Sequence, residues 1–291
     1  MIFLAALKGR NGLLPFVGTV LLVLLGISLG QLPLLNMLDG TQEINDNLRF
    51  LLLLLGFVGG FLALFAAVMT LHRRAPRTLI TGAYRVDWGR LASGFLVWFI
   101  MVGAGEFVLY LMEPSGYSWH FNWETFWPLL LISVFVLPLQ TSLEELFFRG
   151  YLLQQIGLLL NNKLVPLITT SVLFGLMHLA NPEVSEFGVY KMMFYYISFG
   201  LLLGLCTVLD GRLELALGMH AANNFFGATI LSFSGSALQT PSIFYLTHLN
   251  LTAMLILYVI LAVLFFLFFA WKYGWRISTL FAKVLPTYDQ D

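Results

Sequence analysis

Apolar residues in this chain come in long unbroken runs separated by short polar breaks. Eight such runs cover about 12–34, 49–71, 91–112, 126–147, 164–181, 190–209, 213–233 and 250–272. Several reach the roughly 20 residues that an α-helix needs to cross a bilayer. Breaker sequences stand between them: Asp39-Gly40, Pro114-Ser115-Gly116, Asn161-Asn162, Asn181-Pro182, Asp210-Gly211 and Pro241. The pattern predicts an all-α, polytopic integral membrane protein of about eight transmembrane helices. Lys8 and Arg10 precede the first run, and Ser28-Leu29-Gly30 near its end resembles a signal-peptide cleavage site. We read this run as a retained span.

Composition supports the same class. The chain is 59% hydrophobic and 10% charged, against about 25% charged residues in a typical soluble domain. A net charge of zero implies no nucleic-acid partner. The lone cysteine, Cys206, excludes an intramolecular disulfide. No separate soluble domain is evident, so residues 1–291 read as one transmembrane domain.

Charge placement predicts orientation. With the N-terminus inside and spans alternating, the inner segments hold every Lys and Arg except Arg49 and Lys191. Arg149 counts among these inner charges. The outer loops hold Asp39, Glu43, Asp46, Glu113, Glu124, Glu183 and Glu186. This bias selects N-in, C-in by the positive-inside rule. Trp119, Trp123 and Trp127 at the outer side, and Trp271 and Trp275 at the inner side, fit interfacial anchors. The basic inner loop 72–90 reads as a connector, with its arginines available to anionic head groups.

Against this apolar background a few polar residues need a reason to be present. Glu144-Glu145-Leu146-Phe147-Phe148-Arg149 interrupts the fourth run. On a helix Glu145 and Arg149 share a face and can pair. Glu144 is rotated by about 100° from Glu145, which leaves it free to face a polar cavity. His178 follows Phe174 by four residues in the fifth run, and His220 precedes Asn224 by four in the seventh. Glutamate and histidine can activate water; histidine and asparagine donors can stabilise an oxyanion. Glutamate and histidine can equally hold zinc. There is no His-Glu-x-x-His helix and no Gly-x-Ser-x-Gly elbow, and Ser142 reads as a packing residue.

The three motifs, Glu144-Glu145-x-x-x-Arg149, Phe174-x-x-x-His178 and His220-x-x-x-Asn224, resemble in order and spacing those of the CPBP family (CAAX protease and bacteriocin-processing, or ABI) of intramembrane endopeptidases. That family includes the Ras-converting type of CAAX prenyl protease. The resemblance covers roughly 126–235, which it marks as a catalytic core. It implies that Glu144 and His178 activate the attacking water, and that His220 and Asn224 form the oxyanion site. Glu145, Arg149 and Phe174 would support them. It leaves the cofactor open: a glutamate-dependent reaction, or a metalloprotease with zinc held by Glu144, His178 and His220. Implied partners are membrane lipids and a membrane-associated peptide or prenylated protein. The compact loops fit a prokaryotic plasma (inner) membrane, or the endoplasmic reticulum if the source is eukaryotic.

Two other functions use the same residues: a non-catalytic membrane scaffold of the same family, and a proton-coupled transporter with Glu144 in a proton relay. No internal repeat supports the transporter. Depth sets a further expectation. A straight fifth helix carries His178 roughly 22 Å beyond Lys163, away from the inner ends where Glu144 and His220 lie. For the groups to meet, the fourth helix must continue past Arg149 and place Glu144 deeper, in a cavity open to the inner side.

Overall fold

The computed structural model describes residues 2–38 and 44–285. Asp39, Gly40 and Glu43, used above as a breaker and as outer charges, lie outside the described residues. Each apolar run is a helix: α1 (Leu13–Leu38), α2 (Asp46–Thr70), α3 (Trp88–Met112), α4 (Trp123–Leu160), α5 (Leu164–Met177), α6 (Val189–Asp210), α7 (Glu214–Thr229) and α8 (Leu251–Tyr273). Six of them are long and apolar enough to cross a membrane; α5 and α7 are shorter. The chain is a polytopic α-helical membrane protein.

Local chemistry sets the helix ends. Asn45, Asp87, Asn122 and Asn250 each accept a backbone N–H of the following first turn, satisfying donors that a helix start otherwise leaves bare. Asn161, Gly211 and Gly274 take the left-handed conformation that closes α4, α6 and α8.

The fourth element differs from its predicted extent of 126–147. It runs through 38 residues to Leu160, roughly 57 Å at about 1.5 Å per residue. That exceeds a hydrocarbon core of about 30 Å, so the helix cannot stand straight and upright within it. The chain turns at Val136, just before Pro138, and passes through a π-helical stretch at Leu146–Leu152. Arg149 is therefore not an inner flanking charge. It lies inside α4, fully enclosed, because the apolar sequence resumes beyond it and carries the helix onward.

Close helix pairs build the body around α4. A Cβ on Gly26 or Gly59 would strike the other's backbone across the α1–α2 contact, and a Cβ on Gly94 or Gly218 would strike the Leu215 or Leu91 carbonyl across α3–α7. Gly56, Gly59 and Gly60 are thus consumed by packing within the chain. Beyond the helices lies a small sheet. Its strands β1 (Tyr117–Trp119), β2 (Leu231–Phe233) and β3 (Phe244–Leu246) lie in the order β1-β3-β2, antiparallel then parallel. It ties the loop between α3 and α4 to the connection between α7 and α8. Trp119, Trp123, Trp127 and Trp271 are exposed, as interfacial anchors require.

Basic residues of the loop after α2 turn into the protein. The left-handed backbone at Arg73 precedes Arg74, which is buried and donates to Gln154 Oε1 at 2.8 Å. Gln154 donates in turn to the Thr78 carbonyl. Beside them His72 joins the Arg10 carbonyl, Thr19 and the Tyr151 hydroxyl. Arg90, at the start of α3, pairs with Asp210 at 2.5 Å and lies over the Tyr273 ring.

Candidate functional site

Three helices bring the motif residues together. Glu144, Glu145 and Arg149 project from α4, His220 and Asn224 from α7, and Phe174 and His178 from the end of α5. Arg149 Nη1 donates to Glu145 Oε1 at 2.6 Å, with both side chains fully enclosed. Arg149 Nη2 donates to the Gly200 carbonyl of α6 at 3.0 Å, and the guanidinium lies 4.3 Å from the Phe174 ring centroid. An enclosed ion costs several kcal/mol in lost hydration; the carboxylate, the carbonyl and the ring face together offset that cost.

The same Glu145 Oε1 also receives His220 Nδ1 at 2.9 Å. A carboxylate oxygen can only accept, so Nδ1 carries the hydrogen and the ring orientation is fixed. The other nitrogen, Nε2, then faces Glu144 Oε2 at 3.4 Å. A continuous chain results: Arg149, Glu145, His220, Glu144. The Glu145–Arg149 pair forms as the helical spacing predicts. What the spacing does not contain is the second partner of Glu145, which comes from 75 residues away. Among the described residues Glu145 Oε2 has no hydrogen-bond partner, and Glu144 Oε2 has only the 3.4 Å approach of His220 Nε2. A buried carboxylate oxygen in that state keeps its full capacity to accept a hydrogen bond.

His178 closes the site from the α5 side. Its Nδ1 donates to the Phe174 carbonyl at 2.7 Å, which leaves Nε2 as the acceptor. Its ring stacks on Tyr196 of α6 at 4.3 Å between centroids and contacts Phe174 at 4.7 Å. Phe174 in turn meets the His220 ring edge-on at 5.9 Å. With 14 residues, α5 is about 21 Å long, the reach expected beyond Lys163. What lets the groups meet is α4, which continues past Arg149 to Leu160 as their depths require.

Asn224 Nδ2 donates to Gln140 Oε1 at 3.0 Å, and Asn224 Oδ1 accepts from Asn223. Gln140, Asn223 and Tyr196 escape the sequence reading. Gln140 and Asn223 leave a signal: each is a polar residue inside an apolar run, four positions before Glu144 and directly before Asn224 respectively.

The three candidate zinc ligands are not grouped as a metal site here. No set of three His, Cys, Asp or Glu side chains converges on a common point among the described residues. Two of the four imidazole nitrogens involved are already committed, His220 Nδ1 to Glu145 and His178 Nδ1 to Phe174. A separate cavity of about 140 Å³ lies at the far end of α3, lined in part by Glu106, Glu113, Tyr117 and His248. No motif residue lines it.

Known proteins resemble the chain over the stretch that carries these residues. Residues 123–226 match the model described as type II CAAX prenyl endopeptidase Rce1-like. The match takes in all of the Glu-Glu-x-x-x-Arg, Phe-x-x-x-His and His-x-x-x-Asn motifs. A curated relative, the uncharacterized protein YyaK of Bacillus subtilis (strain 168), is 37% identical over 186 residues, which is 63% of this chain. The match spans 62% of that relative's length. No solved structure matches.

Proposed function

We propose, from the premise that this chain belongs through residues 123–226 to the Rce1-like type II CAAX prenyl endopeptidase family, that it is an intramembrane endopeptidase acting near the C-terminus of a membrane-associated peptide or prenylated protein. Its catalytic core is 126–235 within a single transmembrane domain, oriented N-in and C-in in a prokaryotic plasma membrane. The observation that carries this reading is the enclosed chain Arg149–Glu145–His220–Glu144 with His178 alongside. It is a carboxylate and two imidazoles held in fixed orientation by groups that themselves do no chemistry.

In this mechanism a water lies between Glu144 and His178 Nε2. Glu144 takes its proton as the oxygen attacks the scissile carbonyl. The carbonyl π electrons move onto oxygen, and that oxyanion receives hydrogen bonds from His220 and Asn224. His220 serves as a donor when both ring nitrogens carry hydrogen, Nδ1–H on Glu145 and Nε2–H toward the oxyanion. Collapse expels the amine, which takes the proton from Glu144. Arg149 holds the position of Glu145 and balances its charge.

The test is cleavage by the full-length protein in proteoliposomes. The substrates are a prenylated peptide ending in a CAAX sequence and a membrane-anchored peptide library, with and without chelator. Cleavage is expected in the wild type. It is expected to fall by about 10³-fold or more in Glu144→Gln and by about 10²-fold or more in His178→Ala. Activity that survives both substitutions would sink the mechanism. Activity lost on chelation and restored by zinc would assign the metallo form of the reaction.

A further inference from the structure

Four polar side chains run in one line from α3 through α7 to α4, and donor chemistry fixes the direction of every link. Trp98 of α3 is buried, and its indole N–H can donate but never accept. It lies 3.2 Å from Asn223, so the atom facing it is the carboxamide oxygen. Asn223 must then turn its Nδ2 away, and it donates to Asn224 Oδ1 at 3.3 Å. Asn224 presents its own Nδ2 to Gln140 Oε1 at 3.0 Å. Turning either asparagine over would set donor against donor and acceptor against acceptor, at a cost of about 1–3 kcal/mol for each buried group left unpaired. Carboxamides are ambiguous by shape; here the indole removes the ambiguity.

We propose that Trp98, Asn223 and Gln140 are positioning residues that orient the Asn224 carboxamide for oxyanion binding. Nδ2 of Asn224 carries two hydrogens. One is spent on Gln140, and the other remains for the developing oxyanion. Gln140 lies one helical turn before Glu144 on the same face of α4. The anchor of the oxyanion donor and the base are thus carried by one rigid element, and their separation is set by the helix. Trp98 acts at the far end, through Asn223. This inference rests on the endopeptidase reading.

The experiment uses the proteoliposome assay with the prenylated CAAX peptide, comparing wild type, Asn224→Ala, Gln140→Met, Trp98→Phe and the double variant Gln140→Met/Asn224→Ala. Asn224→Ala should lower kcat about 10²-fold, the usual effect of removing one oxyanion donor. Gln140→Met should lower kcat about 10-fold and Trp98→Phe about 3-fold, each with KM changed less than about 2-fold, because the lost interaction acts in the transition state. The double variant should be no slower than Asn224→Ala alone, since the relay acts only through Asn224. Methionine matches glutamine in shape, so Gln140→Met keeps the test valid if Trp98→Phe fails to fold. Wild-type kcat in Gln140→Met, or losses that multiply in the double variant, would overturn this inference alone. Absence of cleavage by the wild-type protein would overturn both it and the endopeptidase reading.

Discussion

Helix α4 carries two buried polar clusters within three turns of each other, and they are built on opposite rules. The first, at Glu144, Glu145 and Arg149, is rich in charge and closely paired: guanidinium on carboxylate, carboxylate on imidazole. Two carboxylate oxygens nevertheless receive no hydrogen bond among the described residues. The second, at Tyr151 and Gln154, is mostly neutral. Its members bond outward to the loop after α2 and to the N-terminal segment. Its one charge, Arg74, bonds to an amide and has no carboxylate partner among the described residues, with its Nε and Nη2 left unpaired there. Burial pushes the Arg74 guanidinium down to about 10. The contrast separates two uses of buried polarity. The neutral knot fastens α4 to the segments before α1 and after α2. Under the proposed mechanism the charged cluster spends its pairs on orientation and keeps acceptor atoms for the reacting water.

The sharpest way to break this comparison is to remove the shared cation of the charged cluster. Arg149→Met leaves Glu145 enclosed without its guanidinium, and loss of one partner of a buried pair costs about 3–5 kcal/mol. Thermal unfolding in detergent should show that loss, and peptide cleavage should fall with it because His220 loses its fixed acceptor. Replacing both partners, Glu145→Gln with Arg149→Met, should restore much of the stability but not the activity. A double variant as unstable as Arg149→Met would mean that the pair is not the source of the cost.

A smaller effect is expected at the knot. Gln154→Leu removes the one side-chain partner Arg74 has among the described residues and frees the Thr78 carbonyl. Unpartnered buried groups cost about 1–3 kcal/mol. The melting temperature should drop while kcat, measured well below it, stays within about 2-fold. A kcat loss comparable to that of a site variant would show that the two clusters are mechanically one.

The two clusters were not equally legible in the sequence. Glu145 and Arg149 are four residues apart on one helix, so their pairing follows from the helical repeat alone. The apolar runs marked the helices for the same local reason. The partners of the knot come from 62 to 80 residues away, and nothing local marks Arg74 as buried. It stands among other loop arginines that charge bias alone assigns to the inner surface. The extension of α4 was legible only through depth: hydropathy ended the fourth run at 147, but bringing Glu144 to His178 required the helix to continue past Arg149, and it does so because the charges compensate one another. The β1-β3-β2 sheet was illegible because three-residue strands are too short to display alternation. The asparagine relay needed the fold, since Trp98 and Asn223 are 125 residues apart.

The smallest expected effect tests the same contrast through pH. His72 donates Nδ1–H to the Arg10 carbonyl, so its Nε2 must accept, and the Tyr151 hydroxyl at 2.9 Å is the donor it faces. Protonating Nε2 would replace that acceptor with a donor, beside the positive charge of Arg74. Burial accordingly holds His72 below its ordinary value of 6.5, and the nearby Arg74 charge adds to the effect. A base whose folded-state value is depressed contributes stability that is complete above the unfolded value. That stability is lost as pH falls toward the folded one, because the unfolded chain then binds the proton first. The melting temperature should therefore be flat from about pH 8 to 6.5 and decline below it. In His72→Gln, which has no proton to gain, the decline should shrink, while the pH profile of cleavage by the folded protein keeps its shape. A rate profile that moved with His72 would place this histidine in the reaction and erase the division between a cluster that fastens and a cluster that reacts.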